Sequence, residues 1–474
     1  MMRDMLLNLF KEISDIPHPS YHEKALSDHI KRLADNLGYY AHQDEHNNLL
    51  VRIPASPGYE DAPVVMLQSH LDMVAEKNME SDHDFLNDPL ELIIEDNILR
   101  ANNTTLGADD GVGVVYMMAI MKDKNLKHPE LELVFTVEEE VGLVGATNFD
   151  TTDMKSTLCI GLDSSGESEV YVSSSGGVRG TLTKPVAIEK LNTDTIKLEI
   201  RGLHGGHSGG DIHLERANAL KLSGVILKRA LDEFDVKLVD LRGGLKINAI
   251  CREADVEFAV NDKETFLAWF KKVEKELLTQ YEISDPGLTF NLITGKTDQV
   301  ISEKDTHNII NALFMLPYGV IQKSMAIEDL TITSANIGTA QLIEDKFRIQ
   351  VSLRATQTFV IENIMAQVSY IAGSTGFDLE FSSKYPGWNY EPESKFRNQL
   401  FKVYRELRNE EMKEVATHGG VELGIWKGKM PHLDIIGLGP IMHDIHTPKE
   451  RLEIDSFVRT YEVLYTLLES LQDY

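Results

Sequence analysis

The stretch LELVFTVEEE, Leu131–Glu140, decides how this chain folds, because an apolar run ends directly in three adjacent carboxylates. The run Leu131–Val137 predicts a buried strand. Glu138, Glu139 and Glu140 follow where that strand must end. Such a run of like charges is most often a solvated loop. The alternative is that the carboxylates face a bound cation, which would offset their mutual repulsion.

The same arrangement recurs along the chain, where metal-binding side chains lie at or just beyond the carboxyl ends of predicted strands. The candidates are His70, Asp72, Asp109, Asp110, Glu139, Glu140, Asp163 and His446. In an open α/β sheet, ligands bind at that edge. Each pattern alone has an ordinary structural explanation, such as a helix N-cap for the Asp109–Asp110 pair. Together and in this order, the candidates indicate a ligand site.

The residue types in this set suit one kind of chemistry. Imidazole and carboxylate ligands together bind zinc, and also manganese or cobalt. Two histidines and three carboxylates can hold two ions when one carboxylate bridges them. A pair of ions about 3.5–4 Å apart is a known arrangement for hydrolysis. The sequence therefore predicts a two-metal hydrolytic site.

Strands alternate with helices in the first part of the chain, which predicts an α/β domain with a mixed, mostly parallel sheet flanked by helices. The Gly/Ser-rich stretch Ser173–Gly177 breaks this pattern and is expected to be a loop or a hinge. Alternating antiparallel strands and helices then indicate a separate α+β domain, and the first pattern returns after the turn-rich linker Tyr385–Pro392. We therefore predict a catalytic domain in two segments, 1–184 and 387–474, interrupted by an inserted α+β domain over 185–386.

Composition limits the classes of partner. Among 474 residues, 75 Asp and Glu outnumber 47 Lys and Arg, which gives a net charge of −28. Such a surface repels phosphate backbones and anionic lipids, so neither nucleic acid nor a membrane is expected as a partner. The two cysteines, Cys159 and Cys251, make no disulfide framework, and the N-terminus lacks the apolar core of a signal peptide. These features favour a cytoplasmic protein.

Six motifs of the chain resemble those of the dinuclear-zinc aminoacylase/carboxypeptidase/dipeptidase superfamily, and within it the aminoacyl-histidine dipeptidase branch. They are SHLDMV, TLGADDGVG, EEEVG, GLDSSGESEVYVSSSGG, GGHSGGDI and HTPKERLEI. The motifs extend from about residue 69 to residue 454, so the resemblance covers nearly the whole chain. As a set they are highly specific.

The resemblance implies a role for each residue that matches a family motif in the catalytic domain. Five residues match metal ligands: His70 and Asp163 on one ion, Glu140 and His446 on the other, and Asp109 between them. Glu139 matches the general base, and Asp72 matches the carboxylate that orients His70. Asp110 and Glu138 receive no role.

The inserted domain is similar to the family's lid and dimerisation domain, which implies a homodimer. His207 matches a lid histidine that reaches the substrate carbonyl oxygen, and Arg354 matches an arginine that binds the substrate carboxylate. Asn248 fits a lid asparagine near the substrate, although Cys251 stands where the family more often has proline. The segment THGGVELG resembles a substrate loop, which adds His418, Gly419 and Gly420.

The implied function is hydrolysis of dipeptides with free termini, Xaa-His dipeptides among them, by a water that bridges two divalent metals. Zinc is the expected metal, with manganese or cobalt as alternatives, and Glu139 is the expected base. An N-acyl-amino-acid deacylase or a tripeptidase would use the same site. A non-catalytic, metal-stabilised binding protein is a further alternative. Decayed members usually lose Glu139 or a metal ligand, and this chain retains all of them.

Overall fold

A computed structural model describes residues 2–327 and 330–474, which form two compact units. The first unit comprises the chain up to Ser173 together with Trp388–Ala416 and Val421–Tyr474. The second comprises Ser174–Gly387 and Thr417–Gly420. Among the helices of the described residues, none combines the length and the apolar character that a membrane span requires.

The first unit is built on an eight-stranded mixed sheet. In order across the sheet, its strands are Tyr40–Gln43, Leu49–Ile53, Leu131–Thr136, Val65–His70, Leu158–Gly161, Asp434–Gly437, Glu169–Ser174 and Lys413–Thr417. The four central strands, from Leu131–Thr136 to Asp434–Gly437, run parallel, whereas Leu49–Ile53 and Glu169–Ser174 pair with them in antiparallel orientation. The carboxyl ends of the four parallel strands therefore lie side by side.

Apolar sequence explains the elements at the centre of the first unit. Every residue of Leu131–Thr136, Val65–His70 and Leu158–Gly161 is buried, as expected for strands covered on both faces. Helix Ala108–Lys122 is apolar on all sides and is buried from Ala108 to Met121. The other helices of this unit are Met2–Ser14, Lys24–Leu37, Val144–Asn148, Lys395–Arg408, Glu422–Lys429 and Ile454–Glu469. A four-stranded sheet contains Leu92–Glu95, Ile98–Ala101, Arg451–Glu453 and Met442–His443.

The second unit is built on an antiparallel sheet. Strand Lys346–Ala355 alternates buried and partly exposed residues over most of its length, whereas Thr331–Ile343 is buried continuously at its centre. Its strands in order are Thr289–Ile301, Ile188–Arg201, Ala254–Val260, Val236–Gly243, Thr331–Ile343, Lys346–Ala355, Gly176–Pro185 and Asp378–Tyr385, with Gly319–Lys323 paired to Thr331–Ile343. Its helices are Ala219–Leu231, Lys263–Gln280, Glu303–Met315, Thr358–Thr375 and the 3-10 turn Ile212–Leu214. Gly206–His207 and Ala249–Ile250 form a separate two-stranded ribbon.

Three details differ from the sequence-based expectations. The stretch Ser173–Gly177, expected to be a loop or a hinge, is divided between strands Glu169–Ser174 and Gly176–Pro185, with Ser175 alone outside them. Because Gly176–Pro185 pairs with two strands of the second sheet, the first unit ends at Ser173 rather than at residue 184. The segment Thr417–Gly420 also belongs to the second unit and not to the returning catalytic segment.

An ion pair between the buried Glu132 and the partly exposed Arg52 gives a test of this fold. Glu132 is fully buried in its strand and lies opposite Arg52, whose Nε donates to it at 3.1 Å. The backbone N–H groups of Lys155 and Ser156 donate to the same carboxylate. We expect Glu132→Ala to lower the free energy of unfolding by about 3 kcal/mol or more, because buried donors lose their acceptor. Urea denaturation followed by circular dichroism measures this loss.

Glu130→Ala is the matched control for that measurement. Glu130 lies two residues earlier, and its ion pair with Lys155 at 2.9 Å is open to solvent. An exposed pair of this kind contributes less than about 1 kcal/mol. Equal losses in the two variants would contradict the structural role of Glu132.

Candidate active site

His70 ends a central parallel strand and is almost completely buried at the carboxyl edge of the first sheet. Its Nδ1 lies 2.9 Å from the carbonyl oxygen of Asp72 and 3.5 Å from Oδ1 of the same residue. A carbonyl can only accept, so this contact assigns the ring proton to Nδ1. Nε2 then faces Asp109, 3.0 Å from its Oδ1. The backbone of Asp72 thus orients His70 more closely than its carboxylate does.

Asp109 is held between two imidazoles. It lies in the first turn of helix Ala108–Lys122, where its backbone is extended and its peptide bond to Asp110 is cis. Oδ1 lies 3.0 Å from Nε2 of His70, and Oδ2 lies 3.0 Å from Nε2 of His446. One carboxylate therefore has an imidazole at each of its oxygen atoms.

The carboxylate of Asp72 fixes the backbone of the glutamates that follow strand Leu131–Thr136. It accepts the N–H of Glu139 at 2.9 Å, the N–H of Glu140 at 3.2 Å and the hydroxyl of Ser20 at 2.8 Å. Oε1 of Glu140 in turn lies 2.9 Å from Nε2 of His446. The carboxylate of Asp72 thereby connects the ends of two parallel strands.

The electrostatics of this group reflect a concentration of negative charge. Burial alone would lower the pKa of His70, but its contacts with Asp109 and Asp72 outweigh burial and raise that pKa well above its usual value. Contacts with Asp109 and Glu140 raise the pKa of His446 to about 11. Burial opposes ionisation of Asp109, yet the two imidazoles hold its pKa well below the usual range. Burial, reinforced by nearby carboxylates, raises the pKa of Glu139 well above its usual value.

These side chains fit a divalent cation. The ligand atoms of His70, Asp109 and Glu140 all lie within 4.8 Å of one another. Oε1 of Glu140 is buried, and within the described chain no donor forms a hydrogen bond of good geometry with it. Its close neighbour is Nε2 of His446, at ion-pair distance. Nitrogen and carboxylate donors of this kind are typical zinc ligands. A cation would take the place of the imidazole protons, because a ligating histidine is neutral.

Asp163 follows the strand Leu158–Gly161 and lies near the same group. Burial is the main cause that raises the pKa of Asp163, and the negative charge of Asp109 adds to it. Its carboxylate lies outside the compact group formed by His70, Asp109 and Glu140. Among the residues it describes, the structure thus brings Asp163 close enough to interact electrostatically with Asp109 and His70, but not into the compact group.

The second unit contains the remaining candidates, and three of them converge on Gly209. A side chain added there would come within 3.2 Å of Cζ of Arg354, Cε1 of His207 and the carbonyl oxygen of His418. Nδ1 of His207 accepts the backbone N–H of Gly210 at 3.0 Å, so the neutral ring carries its proton on Nε2. Desolvation and then the charge of Arg354 lower the pKa of His207, which favours this neutral form.

Asn248 and the loop Thr417–Gly420 complete this second group. The carbonyl oxygen of Asn248 accepts the N–H of Ser208 at 2.8 Å, and its side chain is exposed. The imidazole of His418 is buried, with Nε2 2.6 Å from the hydroxyl of Ser334. The hydroxyl of Ser175 donates to the carbonyl oxygen of His418 at 2.7 Å, and the N–H of Ser175 donates to that of Gly419 at 3.0 Å. Gly420 lies against the ring of Tyr385.

Sequence reasoning overlooked Glu450, which supports Asp109. This carboxylate is buried and accepts the backbone N–H groups of four consecutive residues, 106 to 109, at 2.7, 3.1, 2.8 and 3.4 Å. It thereby satisfies the free N–H groups where helix Ala108–Lys122 begins. Glu450 lies in the motif HTPKERLEI, four residues after His446, and this position could have marked it as a site residue. Its hydrogen-bond partners could not be predicted, because they are backbone groups far away in sequence.

Comparison with known proteins identifies the class of protein. The model of Peptidase family M20/M25/M40 matches residues 66–470, and the chain belongs to this family. It is therefore a peptide hydrolase. The cytosol non-specific dipeptidase of Escherichia coli (strain K12) is 32% identical over 473 residues, which cover 98% of this chain and 97% of that relative.

Solved structures support the same fold. An aminoacylhistidine dipeptidase from Vibrio alginolyticus superposes with a TM-score of 0.92 at 33% identity, covering 98% of this chain and 96% of that one. The aminopeptidase PepT from Bacillus cereus superposes with a TM-score of 0.58 at 16% identity, covering 99% and 98%, and it shows the fold alone. The predicted mixed α/β fold is confirmed.

The contacts of Glu450 give a prediction about metal affinity. Glu450→Gln replaces one acceptor oxygen with an N–H₂ donor that faces backbone N–H groups, so the turn that carries Asp109 must shift. Groups that support a metal ligand typically contribute 10–100-fold to affinity, and we expect a loss of about tenfold for Zn²⁺. Competition with a chromophoric chelator measures it. The exposed Glu95→Gln variant should bind as the parent does, and equal affinity for Glu450→Gln would contradict the prediction.

The burial of His418 gives a prediction about pH. Burial, followed by the charge of Arg354, lowers the pKa of His418 to about 3. Between its ordinary pKa of about 6.5 and 3, only the unfolded chain binds this proton, so His418 makes stability fall as pH falls through this window. We expect His418→Gln to flatten the dependence of urea stability on pH between 7 and 5. His307→Gln, an exposed control in the same unit, should leave the dependence unchanged.

Proposed function

We propose that this chain is a metal-dependent dipeptidase that hydrolyses dipeptides with free termini, Xaa-His dipeptides among them. The observation that carries the proposal is the Asp109 carboxylate, which has the Nε2 atoms of His70 and His446 at its two oxygen atoms. This is the arrangement that a carboxylate needs if it is to bridge two ions. The dipeptidase names of the Escherichia coli and Vibrio alginolyticus relatives support the choice of substrate.

Two divalent ions, most readily zinc, with manganese or cobalt as alternatives, are the proposed cofactors. His70 and Asp163 would hold one ion, Glu140 and His446 the other, and Asp109 both. When bound, the metals supply Lewis acidity and lower the pKa of coordinated water. Asp72 supports the site from outside by holding the backbone of Glu139 and Glu140.

Glu139 moves the proton in the proposed reaction. Its carboxylate takes a proton from the attacking water and delivers it to the nitrogen of the leaving amine. Burial raises the pKa of Glu139, which makes its carboxylate a stronger base than one in solvent. The adjacent Glu138 lies in a left-handed backbone conformation and takes no part.

Residues of the second unit recognise the substrate in this proposal. The guanidinium of Arg354 offers parallel N–H donors to the terminal carboxylate. The Nε2 proton of His207 is available for the carbonyl oxygen of the scissile bond, where negative charge develops. Asn248, His418, Gly419 and Gly420 complete the substrate contacts. By analogy with the family, we propose that this unit is a lid and dimerisation domain and that the protein is a cytoplasmic homodimer.

Glu139→Gln provides the decisive test of the proposed function. A panel of unblocked dipeptides, N-acetylated dipeptides and tripeptides is incubated with protein loaded with zinc, manganese or cobalt. We expect cleavage of unblocked dipeptides and a loss of kcat of about 10²–10⁴-fold in Glu139→Gln, since general-base catalysis contributes that much. Metal content, measured by mass spectrometry, should stay equal to that of the parent.

Glu138→Gln is the matched control, because it removes the neighbouring charge without touching the proposed base. It should retain the parent's kcat. Cleavage of acetylated substrates alone would reassign the protein to the deacylases, and preference for tripeptides would make it a tripeptidase. Bound metal with no cleavage of any substrate would refute the enzymatic proposal.

A further inference from the structure

Four residues of the second unit form a row across four adjacent strands. Ser334 lies opposite Arg354, Arg354 lies opposite Gly177, and Gly177 lies opposite Tyr385. Residues directly opposite one another in a sheet project from the same face. Tyr385 therefore shares a face with Arg354, two strands and about 10 Å of sheet away.

Gly177 allows Tyr385 to reach across the strand that separates it from Arg354. A side chain at Gly177 would lie 2.6 Å from the hydroxyl oxygen of Tyr385 and 2.7 Å from Cζ, so the tyrosine ring lies over this glycine. Gly420 is equally close, because a Cβ atom at that position would lie 2.5 Å from Cε2 of the ring. The absence of a side chain at both glycines thus leaves room for the tyrosine ring. The hydroxyl oxygen of Tyr385 accepts a hydrogen bond from Nη1 of Arg354 at 3.1 Å.

Arg354 is buried, and no carboxylate pairs with its guanidinium within residues 2–327 and 330–474. Only 8% of the residue is exposed, and its Nε has no hydrogen-bond partner within the described residues. Tyr385 contacts the guanidinium through a neutral oxygen atom. A carboxylate in that place would orient the arginine equally well but would also neutralise it. The phenol therefore fixes the direction of the guanidinium while its positive charge stays available to a ligand.

We infer that Tyr385 is a positioning residue that makes this site selective for ligands with a free carboxylate. The inference rests on the proposed function, in which Arg354 binds the C-terminal carboxylate of the substrate. Tyr385 holds the guanidinium so that its remaining N–H donors face that carboxylate. Selectivity between a dipeptide and its C-terminal amide then depends on the tyrosine hydroxyl.

Tyr385→Phe tests this inference, because it removes the hydroxyl and keeps the ring over Gly177. Calorimetry measures the binding of alanyl-alanine and alanyl-alaninamide to zinc-loaded protein in a Glu139→Gln background, so that turnover plays no part. We expect affinity for the dipeptide to fall about tenfold, the value of one hydrogen bond to a charged group. Affinity for the amide should change less than twofold. In active protein, KM for the dipeptide should rise while kcat stays the same.

Two controls separate this inference from the proposed function. Tyr370→Phe, at an exposed position of the same unit, should change neither affinity. Arg354→Met should abolish the preference for the carboxylate.

The combined outcomes distinguish the two claims. If Arg354→Met abolishes the preference but Tyr385→Phe leaves it unaltered, or lowers the affinity for both ligands equally, the inference is wrong while the proposed function stands. If Tyr385→Phe alters the preference but the parent cleaves no dipeptide, the inference stands and the proposed function fails. A parent that binds both ligands equally would overturn the inference and the proposed role of Arg354, whereas dipeptide hydrolysis itself is decided by the cleavage assay.

Discussion

An excess of buried carboxylates over imidazoles at one edge of the first sheet is the constraint on which the rest of the site depends. Parallel strands that end side by side bring these carboxylates together, and only His70 and His446 contact them as cations among the residues that the structure describes. Charges so close and so far from water require compensation. The apolar strands supply the rigid frame, and bound cations would supply the missing charge. Fold and chemistry are therefore coupled through electrostatics.

The residues around the functional side chains share one way of positioning them. Asp72 accepts backbone N–H groups of the glutamate segment, and Glu450 accepts those of the turn before Asp109. Tyr385 contacts Arg354 through a neutral oxygen. In each case the supporting group fixes the orientation of a functional residue without forming an ion pair with the charged side chain of that residue. The charges of the ligands and of the arginine thus stay available for metal and substrate.

Sequence patterns predicted those helices and strands that are determined by residues close together in the sequence. The apolar run that begins at Leu131 is a buried strand, and the periodic segment Lys24–Leu37 is a helix with those bounds. The strand-end rule also anticipated that His70, Asp109 and Glu140 would be neighbours. Ser173–Gly177 was misinterpreted because its glycines suggested flexibility. Gly177 instead makes room for a side chain from another strand, which depends on tertiary packing.

Long-range contacts explain what the sequence could not predict. Glu450 acts on backbone groups of a distant turn, so no spacing rule connects it to Asp109. Tyr385 was expected at the start of a linker, but it is the last residue of strand Asp378–Tyr385. Its partner Arg354 becomes its neighbour only through the register of three strands. Patterns within one segment carry no information about such register.

The short segment Thr417–Gly420 has a consequence for how the chain can be divided. It belongs to the second unit, although the residues before and after it belong to the first. A contiguous fragment from Ser174 to Gly387 would therefore lack His418, and with it the partners of Ser175 and Ser334. No single cut of the polypeptide yields the second unit whole. The connectivity makes the two units inseparable by truncation, so each must be studied within the intact chain.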